Sequence, residues 1–171
     1  SENKVTVINR GVDTKFFDST IYNENNFINF LNKYHLSNEK KIILYPGRLT
    51  KWKGQINFLK IMESYRGDQV ICYFAGDDKN KSYTSKLINE INKKNLQQNC
   101  KIIGHLSKED LKMMYKCADI VISAPLEPEG FGRTISESLA MKKIVLCYDY
   151  GGARDQLNGL DEIYKVSLHD Q

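Results

Sequence analysis

The chain has 171 residues, 41% of them hydrophobic and 27% charged, which suits one globular domain with a sizeable core and excludes a fibrous or disordered chain. Its net charge of +4 is compatible with an anionic small molecule or an anionic membrane surface. The basic residues, as at Lys93-Lys94 and Lys142-Lys143, are scattered like solvated faces, not gathered into the stripe that nucleic acid needs.

In chain order, β-branched Val5-Thr6-Val7-Ile8 predicts a first strand. Residues 26–35 space Phe27, Phe30, Leu31 and Tyr34 at helical intervals, and His35 falls at the helix end. Ile42-Ile43-Leu44-Tyr45 reads as a buried strand, and residues 55–65 place Ile56, Leu59, Ile61 and Met62 mostly on one helical side. Val70 to Ala75 is a second apolar strand, residues 82–95 an amphipathic helix, and Lys101-Ile102-Ile103 a third strand. Ser107 with Asp110 three residues on signals a helix start, with Leu111, Met114 and Tyr115 following. Ile120-Val121-Ile122 and Ile144 to Cys147 are further strands, flanking a helix over 132–141, and Gly151-Gly152 opens a last helix.

Continuous apolar strands alternating with helices predict an α/β fold, a single Rossmann-like domain whose parallel sheet has helices on both faces. Ligands of such sheets bind at the carboxyl ends of the strands. Cys72, Cys100, Cys117 and Cys147 lack metal-ligand spacing. They read as free thiols in a reducing, cytoplasmic setting. No apolar run approaches the roughly 20 residues of a membrane helix. The chain begins at Ser1 without an initiator methionine, so it is expected to be a piece of a longer protein.

Two strand-to-helix loops carry candidate chemistry. In Pro46 to Gly54, Arg48 and Lys53 can converge beside a helix N-terminus and suit a diphosphate, unless they are two surface cations beside a turn. In Glu129-Gly130-Phe131-Gly132-Arg133-Thr134-Ile135-Ser136-Glu137, seven residues separate two carboxylates. Gly130 and Gly132 place Glu129 in the loop and Glu137 two turns into the helix. Phe131, Ile135 and Leu139 recur as a core stripe. Glu137 lies about 200° from Ile135 around the helix, so it faces either solvent or a cleft, where a carboxylate can accept from both ribose hydroxyls. The helix-start amides of Gly132 and Arg133 can hold a phosphate or sugar oxygen. Tyr150-Gly151-Gly152 is a further glycine turn, serving either a ligand or close backbone packing.

In this order, Gly47-Arg48-Leu49 with Lys53-Gly54, Cys117-Ala118-Asp119, Glu129 to Glu137 and Gly151-Gly152 resemble the nucleotide-sugar-binding domain of glycosyltransferase family 4, which has the GT-B fold and retains anomeric configuration. Ile8-Asn9-Arg10-Gly11-Val12-Asp13 is similar to the segment that opens that domain. The stretch around Pro125 and Pro128 resembles members that build lipopolysaccharide or related surface glycans. The resemblance implies that Arg48 and Lys53 contact the donor diphosphate, Glu129 the donor sugar near the reacting centre, and Glu137 the ribose. It implies that Gly130, Phe131, Gly132 and Arg133 line the sugar and distal phosphate, and that Gly104, His105 and Leu106 lie near the base. It further implies that no metal or cofactor is needed and that a nucleotide-sugar donor is used. A glycan or lipid acceptor would be bound by an N-terminal domain absent from this chain, and the longer protein would associate peripherally with the cytoplasmic face of a membrane. Residues 1–171 would then be one donor domain, inactive by itself. The chain departs from the family at Lys142-Lys143-Ile144, where Gly-x-Pro is common, and at Asp155, where glutamate is common.

Two other readings share the fold pattern. One is a non-catalytic nucleotide-binding module. The other is a dinucleotide-dependent oxidoreductase, disfavoured because no G-x-G-x-x-G follows the first strand.

Overall fold

A computed structural model describes residues 8, 10–36, 39–65, 67–160 and 165–166. The expected strand over Val5 to Val7 lies outside the described residues, and Ile8 is irregular and exposed. Among the described residues, six parallel strands form one sheet: β1 (Lys41–Pro46), β2 (Val70–Ala75), β3 (Cys100–Gly104), β4 (Ile120–Ser123), β5 (Ile144–Tyr148) and the two-residue β6 (Lys165–Val166). Their order across the sheet is β3-β2-β1-β4-β5-β6. The helices are α1 (Glu24–Tyr34), α2 (Gln55–Tyr65), α3 (Lys81–Lys93), α4 (Lys108–Cys117), α5 (Arg133–Ala140) and α6 (Gly152–Gln156), and a single 3₁₀ turn spans Lys51–Lys53.

Both sheet faces are apolar because both are covered, as parallel sheets require. Successive strand residues alternate between two cores. Ile42, Leu44, Ile71, Tyr73 and Val145 pack with Met114, Tyr115 and Ile135 of α4 and α5. Tyr45, Cys72, Phe74 and Ile122 pack with Phe58, Leu59, Met62, Leu87 and Ile91 of α2 and α3. In α2 the buried stripe is Gln55, Phe58, Leu59 and Met62, whereas Ile61, expected on it, is 61% exposed. The expected stripe of α5 is also corrected. Ile135 is buried, but Phe131 precedes the helix and is only half-buried.

Helix ends are set locally. Asn23, Asn80 and Ser107 accept the amides of Asn26, Tyr83 and Asp110 as N-caps. At the other end, His35, Asn95 and Lys142 adopt positive φ. The amides of the next residues, Leu36, Leu96 and Lys143, bond back to Leu31, Ile91 and Ser138, which is the Schellman arrangement. The Lys142-Lys143 departure from the family pattern thus falls on a left-handed cap that a glycine would hold without strain.

Before α1, the chain from Val12 to Tyr22 crosses α4. Phe17 is buried against Tyr115, their ring centroids 6.0 Å apart. Lys112 and Lys116 donate to the carbonyls of Ile21 and Ser19 at 2.5 and 3.0 Å, fixing that segment along one helix.

Candidate active site

Strand order reverses between β1 and β4, so their carboxyl-terminal loops diverge and leave a crevice, the usual ligand position of this architecture. A cleft of about 640 Å³ opens there. It is lined by Pro46, Gly47, Arg48 and Lys53 from the β1–α2 loop, Gly76 and Asp77 after β2, and His105 and Leu106 after β3. Lys108, Leu111 and Tyr115 of α4 form one wall, and Glu129, Arg133, Thr134 and Glu137 another.

The floor is a continuation of the sheet. Past the strand ends, the Gly47 amide donates to Ala75 at 2.8 Å, Leu49 to Asp77 at 3.0 Å, and Gly76 to Gly104 at 2.8 Å. These bonds tie three loops side by side. Buried Gln55 donates to the Arg48 carbonyl at 3.0 Å and accepts from Tyr83 Oη at 3.2 Å, so α2 and α3 both brace the turn that carries Arg48.

The two loops on either side of the switch point are latched together. Tyr45 Oη, buried at the end of β1, donates to the Lys53 carbonyl at 2.6 Å and lies 3.2 Å from that of Ala124. The Leu126 amide donates to Trp52 at 2.6 Å. Gly54 has φ +82°, and a Cβ on it would lie 2.4 Å from the Ala124 carbonyl oxygen, so only glycine lets the loops approach this closely. At the top of the latch Lys53 Nζ meets Glu129 Oε1 at 2.5 Å, both side chains more than four-fifths covered. Trp52 lies under both cations, its ring 5.7 Å from the Arg48 guanidinium carbon and 4.5 Å from Lys53 Nζ, within cation–π range.

Glu137 faces the cleft and not bulk solvent. It sits little more than one turn into α5, not two, because the helix begins at Arg133 with Gly132 as its left-handed N-cap. Tyr115 Oη donates to Glu137 Oε2 at 2.9 Å. Burial raises the Glu137 pKa above the ordinary glutamate value, while the Tyr115 hydrogen bond and the charges of Arg133 and Lys108 partly offset it. Tyr115 itself is fully buried, and burial holds its pKa well above the usual phenol range.

The loop from Glu129 to Gly132 is set from behind by α6. The Gly152 amide donates to the Glu129 carbonyl at 2.8 Å. A Cβ on Gly152 would stand 2.6 Å from the Gly130 carbonyl oxygen. Gln156 Nε2 donates to the Phe131 carbonyl and, at 3.2 Å, to Gly152, while Ser136 donates to its Oε1. Of the two roles open to the Gly151-Gly152 turn, this is the packing one: the turn supports the Glu129 loop from outside the cleft.

The structure therefore brings Arg48, Lys53, Glu129, Arg133, Glu137, His105 and Leu106 to one cleft. Gly104 lies just below it, holding the Gly76 amide. Gly130, Phe131 and Gly132 line the neighbouring hollow of about 500 Å³, together with Ile8, Arg10, Glu129 and Arg133. Sequence reasoning missed Tyr115, Lys108 and Asp77. Tyr115 follows Met114 in an amphipathic helix and carries no local sign of a polar partner. Asp77 accepts the Lys79 amide at 2.8 Å; that hydrogen bond is the largest of the effects that lower its pKa from the ordinary aspartate value. Among the described residues, no three His, Cys, Asp or Glu side chains are grouped closely enough to hold a metal ion. No described helix is long and apolar enough to cross a membrane.

Comparisons with known proteins identify the family. The family described as "Glycosyl transferases group 1" matches residues 26–162. An uncharacterized glycosyltransferase of Methanocaldococcus jannaschii is 30% identical over 168 residues, 93% of this chain and 41% of the relative. The crystal structure of a glycosyltransferase from Rickettsia africae superposes with a TM-score of 0.90 at 32% identity, covering 99% of this chain and 45% of that one. Anabaena HepE, solved with UDP and glucose, shares the fold at a TM-score of 0.76 and 23% identity, over 88% of this chain and 39% of that one. The chain thus spans less than half the length of these relatives. On the family match and the archaeal relative, the chain belongs to the group 1 glycosyl transferases.

Proposed function

We propose that this domain is the donor-binding half of a retaining, family 4 glycosyltransferase with the two-domain GT-B architecture. The observation that carries the proposal is one cleft at the topological switch point, with Arg48 and Lys53 on one loop facing Glu129 on the other loop and Glu137 on α5. A nucleoside diphosphate matches that charge pattern. The diphosphate meets the two cations, the ribose hydroxyls meet the Glu137 carboxylate, and the base lies against His105 and Leu106. The donor sugar then projects past Glu129 towards the hollow lined by Gly130, Phe131 and Gly132.

Catalysis is electrostatic in this reading. Negative charge develops on the diphosphate as its bond to the anomeric carbon breaks. Arg48, Lys53 and the amides at the start of α5 are already in place to meet it, without a metal or cofactor. Lys53 is held by Glu129 before the donor arrives, so its ammonium is preset rather than recruited from solvent. Anabaena HepE, a neighbour of the same fold, was solved with UDP-glucose, which supports a nucleotide-sugar as the donor class.

The longer protein would supply an N-terminal domain that binds a glycan or lipid-linked acceptor at the cytoplasmic face of a membrane, in surface-glycan or lipopolysaccharide synthesis. Titration calorimetry with UDP, GDP, ADP and NAD tests the core of the reading. One nucleoside diphosphate should bind, and Glu137→Ala should weaken it at least about tenfold, since hydrogen bonds to a charged group contribute about 1.5–3 kcal/mol each. Binding of NAD with no response to any nucleoside diphosphate would overturn it.

A further inference from the structure

Among the described residues, the Glu137 carboxylate makes one protein hydrogen bond, accepting through Oε2 from Tyr115. That leaves Oε1 for the cleft. The phenol comes from α4, a different element, and is immobilised: Tyr115 is fully buried, with Phe17 packed edge-on against its ring. The hydroxyls of Thr134 and Ser138 lie beside its oxygen. Burial keeps the phenol protonated, so it remains a donor throughout the working pH range.

We propose that Tyr115 is a positioning residue for nucleotide binding: its hydroxyl holds the Glu137 carboxylate aimed into the cleft. The proposal rests on the donor-site reading above and assigns part of ribose recognition to a side chain that acts through Glu137. A half-buried carboxylate pays a desolvation cost that favours its neutral form, and a protonated Glu137 can no longer accept from both ribose hydroxyls. The Tyr115 hydrogen bond counters that cost directly. The charged groups facing Glu137 are Arg133 on its own helix and Lys108 on α4. Across the cleft stand Arg48, Lys53, Asp77, His105 and Glu129. None of these makes a hydrogen bond to the Glu137 carboxylate, so the orienting role falls to Tyr115.

The test uses Tyr115→Phe, which keeps the buried ring, and Glu137→Gln. The Glu137 side-chain carboxyl is titrated by NMR in wild type and Tyr115→Phe without ligand. Binding of UDP-glucose and GDP-mannose, whose diphosphates do not titrate between pH 5 and 9, is measured in parallel from about pH 5 to 8. In Tyr115→Phe the carboxyl should titrate at higher pH than in wild type. The acid-side loss of nucleotide-sugar affinity should move the same way, with affinity at pH 6 down by about tenfold, the effect of one charged hydrogen bond. In Glu137→Gln, adding Tyr115→Phe should change affinity little. An unchanged carboxyl titration in Tyr115→Phe overturns the proposal, as does an affinity loss equal at every pH. Failure of both nucleotide-sugars to bind overturns the donor reading instead, while the ligand-free titration still decides whether Tyr115 controls Glu137.

Discussion

Replacing Gly54 by alanine is the sharpest test of the latch between the β1–α2 and β4–α5 loops. The added Cβ would stand 2.4 Å from the Ala124 carbonyl oxygen, about 1 Å inside ordinary van der Waals contact. The obstruction is backbone, so it cannot rotate away. The residue also sits at φ +82°, where a non-glycine costs about 1–2 kcal/mol. Overpacking adds about 1–3 kcal/mol, and alanine returns about 0.4–1 kcal/mol by restricting the unfolded chain. The expected net loss is about 1–4.5 kcal/mol, or a urea midpoint lowered by roughly 0.5–2 M at a typical slope for a domain this size. Urea unfolding followed by circular dichroism reads it. Gly130→Ala is the control: no heavy atom lies within 4 Å of its Cβ and its φ is not positive, so it should stay within about 0.5 kcal/mol of wild type. A loss below about 1 kcal/mol in Gly54→Ala would refute the close approach of the two loops. So would an equal loss in both variants.

Other consequences are independent of that latch. Glu137→Gln should stabilise the unliganded fold at neutral pH. Burial raises the Glu137 pKa, so the folded state favours the protonated form. That contribution is present below the unfolded pKa and is lost as pH rises through the folded one. The stability difference between variant and wild type, measured by urea unfolding, should therefore appear with rising pH and shrink in acid. Lys142→Gly should raise stability by up to about 1 kcal/mol by relieving the left-handed cap after α5, read as a higher melting temperature. Gln156→Leu strips the donor shared by the Phe131 and Gly152 carbonyls. It should cost about 1–3 kcal/mol and weaken nucleotide-sugar binding, because the Glu129 loop loses its support; binding and unfolding measured on the same sample check both.

Much of the fold was legible because the strands of a covered parallel sheet are apolar on both sides, which marks Ile42 to Tyr45 and Val70 to Ala75 without alignment. The capping pair Ser107 and Asp110 was equally local. Helical angle alone took Glu137 off the core stripe and left it facing solvent or a cleft; the structure puts it in the cleft wall. Its depth in α5 was not legible, because Gly132 takes a left-handed N-cap and starts the helix late. Ile61 failed for another reason. Phe58, Leu59 and Met62 hold the buried side of α2, with Phe58 edge-on to Tyr45 of β1, and Ile61 falls outside it. Tyr115 and Gln156 were out of reach because their roles come from partners 22 and 25 positions away, brought near only by packing of α4 and α6 around α5. The Gly151-Gly152 turn looks from sequence like either a ligand loop or a packing turn. Only the carbonyls of Glu129 and Gly130 against it decide for packing.

The central claim is that a nucleoside diphosphate occupies the cleft between the β1–α2 and β4–α5 loops. Amide chemical-shift mapping on the isotopically labelled chain during titration with UDP and GDP tests it most directly. Saturable shifts are expected at Gly47, Arg48 and Lys53, at His105 and Leu106, and from Gly132 to Glu137, at the carboxyl ends of the strands. Shifts confined to another surface, or none with either nucleotide at millimolar concentration, would contradict it.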